Sequence, residues 1–254
     1  MAKRPATLKG MPQRLPYISR MLDLLKAAAL ETAWPTRCVL CDLPGTLLCE
    51  SCLRTLPYID FWRACPVCGA PYGLVQCCTC NPVMLPPGFE EPPFDACVSA
   101  VHLTRATGRM ATLFKDHNER GLARVMACLI FWAIPPAWKS GTDAVTFIPA
   151  TSASLRKRGF DHAELLAEEL AKELGLPVIP LFQRPASIDQ RSLTREERFA
   201  NMRHRIVVSE GASMPESPLL VDDVFTTGAT LFAACDALLS QGTRNIRCAT
   251  FARA

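Results

Sequence analysis

Residues 219–230 read Leu219-Leu220-Val221-Asp222-Asp223-Val224-Phe225-Thr226-Thr227-Gly228-Ala229-Thr230. An unbroken apolar run, an acidic pair, a short hydroxylated turn and then the helical pattern of Ala229 to Leu239 describe a buried strand, a loop and a helix in that order. A loop of Thr, Gly and Ala entering a helix turns free backbone N–H groups and hydroxyls toward one point, where the helix dipole also favours an anion. A phosphate suits that point, with Thr226, Thr227, Gly228, Ala229 and Thr230 around it. Asp222 and Asp223, at the C-terminal end of the strand, lie where open α/β sheets bind ligands and can accept hydrogen bonds from two vicinal sugar hydroxyls. A purely structural strand-turn-helix explains each residue singly. It explains the run poorly, because adjacent carboxylates beside an anion pocket repel unless something bridges them. Phosphate beside diol points to a ribose 5-phosphate group.

Outward from this segment, residues 94–254 alternate strand and helix patterns. Ala96 to Leu103, Ala144 to Ile148, Pro177 to Leu181, Leu219 to Val224 and Asn245 to Phe251 read as short β-rich runs. Helical pattern fills Leu113 to Ile134, Asp161 to Leu174 and Ala229 to Leu239; in the second of these Ala163, Leu166, Ala167, Leu170 and Leu174 share a face, and Gly175 and Pro177 stop it. Such alternation predicts an α/β fold, a doubly wound parallel sheet covered on both faces. Arg156, Lys157 and Arg158 stand just ahead of the second helix, where a basic cluster can face a pyrophosphate or simply be solvated.

Upstream, residues 81–93 carry five prolines and one glycine and read as a linker. Residues 1–33 read as a basic, aperiodic leader followed by an amphipathic helix over Tyr17 to Ala33, with Ile18, Met21, Leu22, Leu25 and Ala29 near one face. The apolar stretch Met21 to Leu30 is interrupted by Asp23 and Lys26, which argues against a signal peptide or a membrane span. A cytoplasmic location is therefore expected. The chain has 254 residues and a formal charge of +4, enough length for one well-packed domain plus a smaller one and too little charge to argue for nucleic acid from composition.

Thirteen cysteines are many, and nine of them fall between Cys38 and Cys80. Within residues 34–80, four C-x-x-C pairs stand out: Cys38 with Cys41, Cys49 with Cys52, Cys65 with Cys68, and Cys77 with Cys80. In a reducing compartment such pairs read as metal ligands rather than disulfides. The tight turn inside each pair lets both sulfurs face one ion, and four thiolates make a closed structural Zn(II) site without an open position for chemistry. Eight ligands imply one or two zincs in a zinc-ribbon module, and Gly69 fits the sharp turn after Cys68. Sequential and interleaved pairings both use these eight residues, and Cys78 can replace a neighbour. Cys97, Cys128, Cys235 and Cys248 sit in apolar runs and read as small core residues. His102, His117 and His204 read as surface or locally bonded side chains, while the neighbours of His162 leave a functional role open.

The string 219–230 resembles the 5-phosphoribosyl-1-pyrophosphate (PRPP) binding signature of type I phosphoribosyltransferases. Together with the cysteine pairs, the chain after about residue 20 is similar to the ComF family of competence-associated, double zinc-ribbon, phosphoribosyltransferase-like proteins. Arg158-Gly159-Phe160-Asp161-His162 resembles that family's Arg-Gly-Phe-Asn-Gln stretch, Gln190, Leu193, Arg198 and Asn201 resemble its spaced Gln, Leu, Arg and Asn, and Lys115 answers to a family lysine. Asp161 and His162 replace Asn and Gln, Pro149-Ala150-Thr151-Ser152 stands where Pro-Leu-His is usual, and Arg203-His204-Arg205 is more basic than the family ending.

The resemblance implies PRPP or another phosphoribosyl ligand held with Mg(II): the acid pair on the ribose hydroxyls, the following loop on the 5-phosphate, and Arg156 to Arg158 on the pyrophosphate side. It implies a hood loop within Gln183 to Val208, a stretch with six arginines and three acids, and a role in DNA uptake during natural transformation, with single-stranded DNA and DNA-uptake proteins as partners. The catalytic residue and the acceptor are not legible, and no base-reading pocket is evident. An active phosphoribosyltransferase of nucleobase salvage, and a non-catalytic single-stranded DNA-binding module or PRPP sensor, both stay open on the sequence.

Overall fold

A computed structural model describes residues 21, 25, 32, 35–77, 79–86, 88–185 and 205–254. Most of the expected helix over residues 17–33, Cys78, and the segment holding Gln190, Leu193, Arg198, Asn201, Arg203 and His204 lie outside the described residues. By internal packing the chain divides into two compact units, residues 1–49 and 50–254.

In the first unit the backbone folds back on itself. Arg37 bridges Pro44 in antiparallel fashion, the Val39 amide donates to the Leu47 carbonyl at 3.0 Å, and Asp42 takes a positive φ of 65° at the tip. This turn carries Cys38 and Cys41.

The second unit opens with α1 (Glu50–Arg54) and then builds a four-stranded, all-parallel sheet from β1 (Ala96–His102), β2 (Ala144–Phe147), β3 (Pro218–Phe225) and β4 (Arg247–Arg253), in the order β1-β4-β3-β2. The strands are buried along most of their length, as a sheet covered on both faces requires. Between them run α2 (Arg105–Asp116), α3 (Leu122–Ala133), α4 (Pro136–Ser140), α5 (Ser152–Arg158), α6 (His162–Leu174) and α7 (Ala229–Ser240). Helices α3 and α6 pack on each other and on the strands. Leu231, Phe232, Ala233, Ala234, Cys235 and Leu238 of α7 join a core with Leu220, Cys248, Cys97, Phe94, Cys65 and Cys68. The strands and helices thus make the parallel α/β sheet that the sequence predicts, and the cysteine-rich segments precede it in the chain.

Several boundaries differ from expectation, for local reasons. One helix was expected over Leu113 to Ile134; the structure has two, separated where Asn118 adopts a left-handed φ of 60°. The first begins earlier than its apolar pattern suggests because Thr104 and Thr107 form a reciprocal capping box. Pro177 to Leu181 forms only an isolated parallel bridge, Val178 to Val145, since Pro177 and Pro180 have no N–H to give to a ladder. Residues 81–85 make turns around Asn81, and Phe89 stands edge-on against Phe232, with ring centres 5.2 Å apart. Cys97, Cys235 and Cys248 are core residues as expected; Cys128 is half-buried, with its sulfur 3.7 Å from Glu173 Oε1. Among the described residues no helix is long and apolar enough to cross a membrane.

Gly69 holds the cysteine-rich segment against the sheet. Its φ is +68°, and a Cβ there would stand 2.4 Å from the Cys97 carbonyl oxygen, where the Cys97 amide also donates to Val67 at 2.7 Å. Gly69→Ala is predicted to lower unfolding free energy by about 3 kcal/mol through backbone strain and a forced separation from β1. Urea unfolding of the zinc-saturated protein measures this; an unchanged midpoint contradicts the assignment.

Candidate functional site

The acid pair lies at the C-terminal end of β3, as the sequence predicts, and its two members are not equivalent. Asp223 is buried, whereas Asp222 is half-buried. Lys115, in the last turn of α2, donates to Asp223 Oδ1 at 3.0 Å and has its Nζ 2.7 Å from Oδ2. Burial works against a charged Asp223, but Lys115 and the nearby His162 outweigh it and keep the carboxyl below its ordinary range. Among the described residues no cation forms a salt bridge with Asp222. Enclosure by protein and the neighbouring Asp223 charge push it up to about 7, even though its Oδ1 accepts the Asp223 amide at 2.8 Å. The pair therefore holds one fixed negative charge and one carboxyl poised to ionise near neutrality.

The loop after β3 is unevenly exposed. Thr226 is exposed, Thr227 and Thr230 are half-buried, and Gly228 and Ala229 are buried. Gly228 occupies the N-cap of α7 with a left-handed φ of 77° and offers no side chain to the helix, so the amides of the first turn are left for another acceptor; the Thr227 hydroxyl takes only that of Ala229, at 3.4 Å. A side chain at 228 is excluded because its Cβ would lie 2.7 Å from the Phe225 ring.

The basic stretch 156–158 forms the last turn of α5 rather than a loop, closed by Gly159 in the left-handed region. Arg156 and Lys157 are exposed, and Arg158 turns inward: its guanidinium bonds Asp116 at 3.1 Å and meets His162 Nδ1 at 3.2 Å. Arginine only donates, so Nδ1 is the accepting nitrogen and the His162 ring is neutral. Burial, with help from Lys115, brings the His162 pKa down to about 4. Arg158 thus joins the network beneath the acid pair, while Arg156 and Lys157 stay on the surface.

Asp161 is the organiser that sequence reasoning passed over, having met it only as a replacement for Asn. Its Oδ1 caps α6 through the amides of Ala163 and Glu164, and its Oδ2 accepts from the Ala150 amide at 2.9 Å and from Arg184 at 2.7 Å. One buried carboxylate so ties the segment after β2, the start of α6 and Arg184 together. The N-cap position of Asp161 is legible in the sequence; its partners 11 and 23 residues away are not.

The eight cysteines of the C-x-x-C pairs resolve sequentially. Sulfurs of Cys38, Cys41, Cys49 and Cys52 lie within 4.8 Å of one another, and so do those of Cys65, Cys68, Cys77 and Cys80. The Cys41–Cys49, Cys65–Cys80 and Cys68–Cys77 sulfurs are 3.6, 3.6 and 3.5 Å apart. These spacings approach the edge of a tetrahedron with metal–sulfur bonds of about 2.3 Å, roughly 3.8 Å. Backbone amides point at the sulfurs as well: Cys49 at Cys38, and Thr79 and Cys80 at Cys77. Burial alone raises the Cys38 and Cys77 thiols, but such amides bring them down to about 6 and about 7, whereas burial holds Cys68 up at about 12. Both groups could hold a structural zinc, which would displace the remaining protons.

A model of the phosphoribosyl transferase domain family matches residues 155–254. Competence protein F of Haemophilus influenzae is 26% identical over 235 residues, covering 86% of this chain and 97% of that protein. DNA utilization protein YhgH of Salmonella typhi is 26% identical over 234 residues, covering 84% of this chain and 95% of the relative. Among solved structures, orotate phosphoribosyltransferase from Aeropyrum pernix aligns with a TM-score of 0.32 and 16% identity over 61% of this chain and 80% of that one.

Because its folded pKa lies below the unfolded value, His162 contributes stability that is present above about pH 6.5 and is lost as the pH falls toward 4. Its ring is predicted to stay neutral in an NMR titration down to about pH 4. Lys115→Met should raise the His162 and Asp223 pKa values together, since the ammonium lowers both. An imidazolium signal at pH 6 in the native protein would contradict the buried network.

Proposed function

We propose that this chain, whose domain match, relatives and two four-thiol groups fit a ComF-type protein, binds PRPP at the end of β3 and acts in DNA uptake during natural transformation. The observation that carries the reading is the meeting of an asymmetric acid pair with a helix start that has no side-chain cap, a few residues apart, with Asp222, Thr226, Thr227 and Thr230 partly or fully exposed. In this reading Asp222 and Asp223 accept the ribose hydroxyls. Amides and hydroxyls of Thr226, Thr227, Gly228, Ala229 and Thr230 hold the 5-phosphate. Lys115 fixes the charge and orientation of Asp223, and Asp161 with Arg184 sets the position of Ala150 on the far side.

Mg(II) would enter with the ligand rather than in a dedicated protein cage, and would supply neutralisation of the pyrophosphate charge. Arg156 and Lys157, exposed at the end of α5, supply positive charge on the pyrophosphate side, while Arg158 acts through His162 and Asp116. Zn(II) in the two thiol groups has a structural role. We place the protein in the cytoplasm, with residues 34–80 as zinc-ribbon module, 81–93 as connection and 94–254 as the ligand-binding domain, and with single-stranded DNA and DNA-uptake proteins as its partners.

Calorimetric titration with PRPP and Mg(II) tests the site. Native protein should bind, and Asp222→Asn combined with Asp223→Asn should weaken binding at least about 100-fold, or about 2.7 kcal/mol, on loss of two charged acceptors. Equal affinity in the double variant would end the proposal. A carboxylate accepts sugar hydroxyls better than a carboxylic acid, so affinity should rise with pH through about 7, and Asp222→Asn should abolish the step. Elemental analysis should find two zincs per chain; a count of zero after metal-replete expression would remove their structural role. For DNA, affinity for single strands should fall with salt, and neutralising Arg156 and Lys157 should reduce both the affinity and its salt slope. An unaltered slope excludes that surface.

A further inference from the structure

Arg253, the last residue of β4, is 2% exposed. Its NH1 donates to the Cys68 carbonyl at 2.7 Å, its NH2 lies 3.6 Å from Cys68 Sγ, and its guanidinium carbon stands 3.8 Å above the centre of the Phe225 ring. Among the described residues no carboxylate forms a salt bridge with it. A buried guanidinium needs a counter-charge, and the sulfur it touches can supply one. Four thiolates around a divalent cation leave the group of Cys65, Cys68, Cys77 and Cys80 anionic, which suits the residues present and Arg253 in particular.

The other face of the same guanidinium is a second contact. Phe225 pairs with Arg253 in register across β3 and β4, and the Ala254 amide donates to the Phe225 carbonyl at 3.0 Å. The Phe225 ring in turn forms the floor under Gly228, where an added Cβ would meet its Cζ at 2.7 Å and Phe232 at 3.2 Å. The path from sulfur to loop therefore has three members in contact, Cys68, Arg253 and Phe225, and ends at the N-cap of α7.

We propose that Arg253 is a positioning residue that couples metal loading of the Cys65, Cys68, Cys77 and Cys80 group to the geometry of the Thr226 to Thr230 loop. With metal bound, the anionic group fixes the guanidinium, the guanidinium fixes the Phe225 ring, and the ring holds Gly228 so that the first-turn amides of α7 converge. With metal removed, the guanidinium loses its counter-charge, its hold on Phe225 loosens and the loop loses its floor. Only the ligand arm of the test rests on the proposed phosphoribosyl site.

The test uses the full chain with zinc bound and the variants Arg253→Met and Arg253→Lys. Zinc transfer to a chromophoric chelator, hydrogen exchange of the amides of residues 225–232, and calorimetry with PRPP and Mg(II) are read on each. In Arg253→Met one of the two zincs should transfer about tenfold faster, the loop amides should exchange about tenfold faster, and PRPP should bind about tenfold more weakly, equivalent to about 1.4 kcal/mol. Stripping that zinc from the native chain should speed the same amides. Arg253→Lys keeps the charge but loses the planar stack on Phe225, so its zinc should be held nearly as well while the loop still exchanges faster; this variant decides the matter where Arg253→Met does not fold. Faster zinc transfer with unchanged loop exchange, or neither changed by more than about twofold, overturns the coupling. Absence of PRPP binding by the native chain would instead sink the proposed function, with zinc transfer and hydrogen exchange still judging Arg253.

Discussion

Two carboxylates side by side at the end of a strand are costly in a protein interior, and the arrangement of the groups around them follows from how that cost is met. Lys115 reaches in from α2 and neutralises Asp223, which leaves Asp222 with its ionisation still open. The lysine is available because α2 ends at Asp116, so that its last turn stands over the end of β3. Asp116 receives Arg158, Arg158 donates to a neutral His162, and His162 faces Asp223 electrostatically. Charges of both signs are interleaved there, which offsets much of the cost of burying them at low dielectric.

How much of this could be read from the sequence depends on the range of the interaction concerned. The strand, turn and helix of residues 218–240 were legible because buried apolar run, acidic pair and glycine lie in one contiguous string. The fourfold C-x-x-C repeat showed the thiol groups for the same reason, though not their pairing, which is decided by how the turns at Asp42 and Gly69 fold. The break between α2 and α3 was missed: Asn118 in a left-handed conformation is a property of one residue, and the apolar periodicity continues across it. Pro177 to Leu181 looked like a strand by composition, yet its prolines deny it the donors for a ladder.

The partners of Asp161 and of Arg253 were illegible for a different cause. Asp161 meets Arg184, and Arg253 meets Cys68, only because the sheet brings distant segments together. A single arginine after an apolar strand gives no hint that it will be buried. What marks Arg253 is physical context alone: nearly complete burial, a sulfur on one side and an aromatic face on the other. The group of Cys65, Cys68, Cys77 and Cys80 and the sheet share one core, since Cys65 and Cys68 are packed with Cys248 and the apolar face of α7.

The separation of 108 residues between Lys115 and Asp223 has a consequence for biosynthesis. On the ribosome, α2 emerges well before the strand it serves, and parallel pairing of β3 between β2 and β4 cannot finish until β4 has left the tunnel. A nascent chain therefore cannot set Lys115 against Asp223 within a finished sheet until β4 has been made, and the acid pair is a late product of folding. Any solute that recognised only that finished arrangement would act by mass action, favouring the native population without templating its assembly.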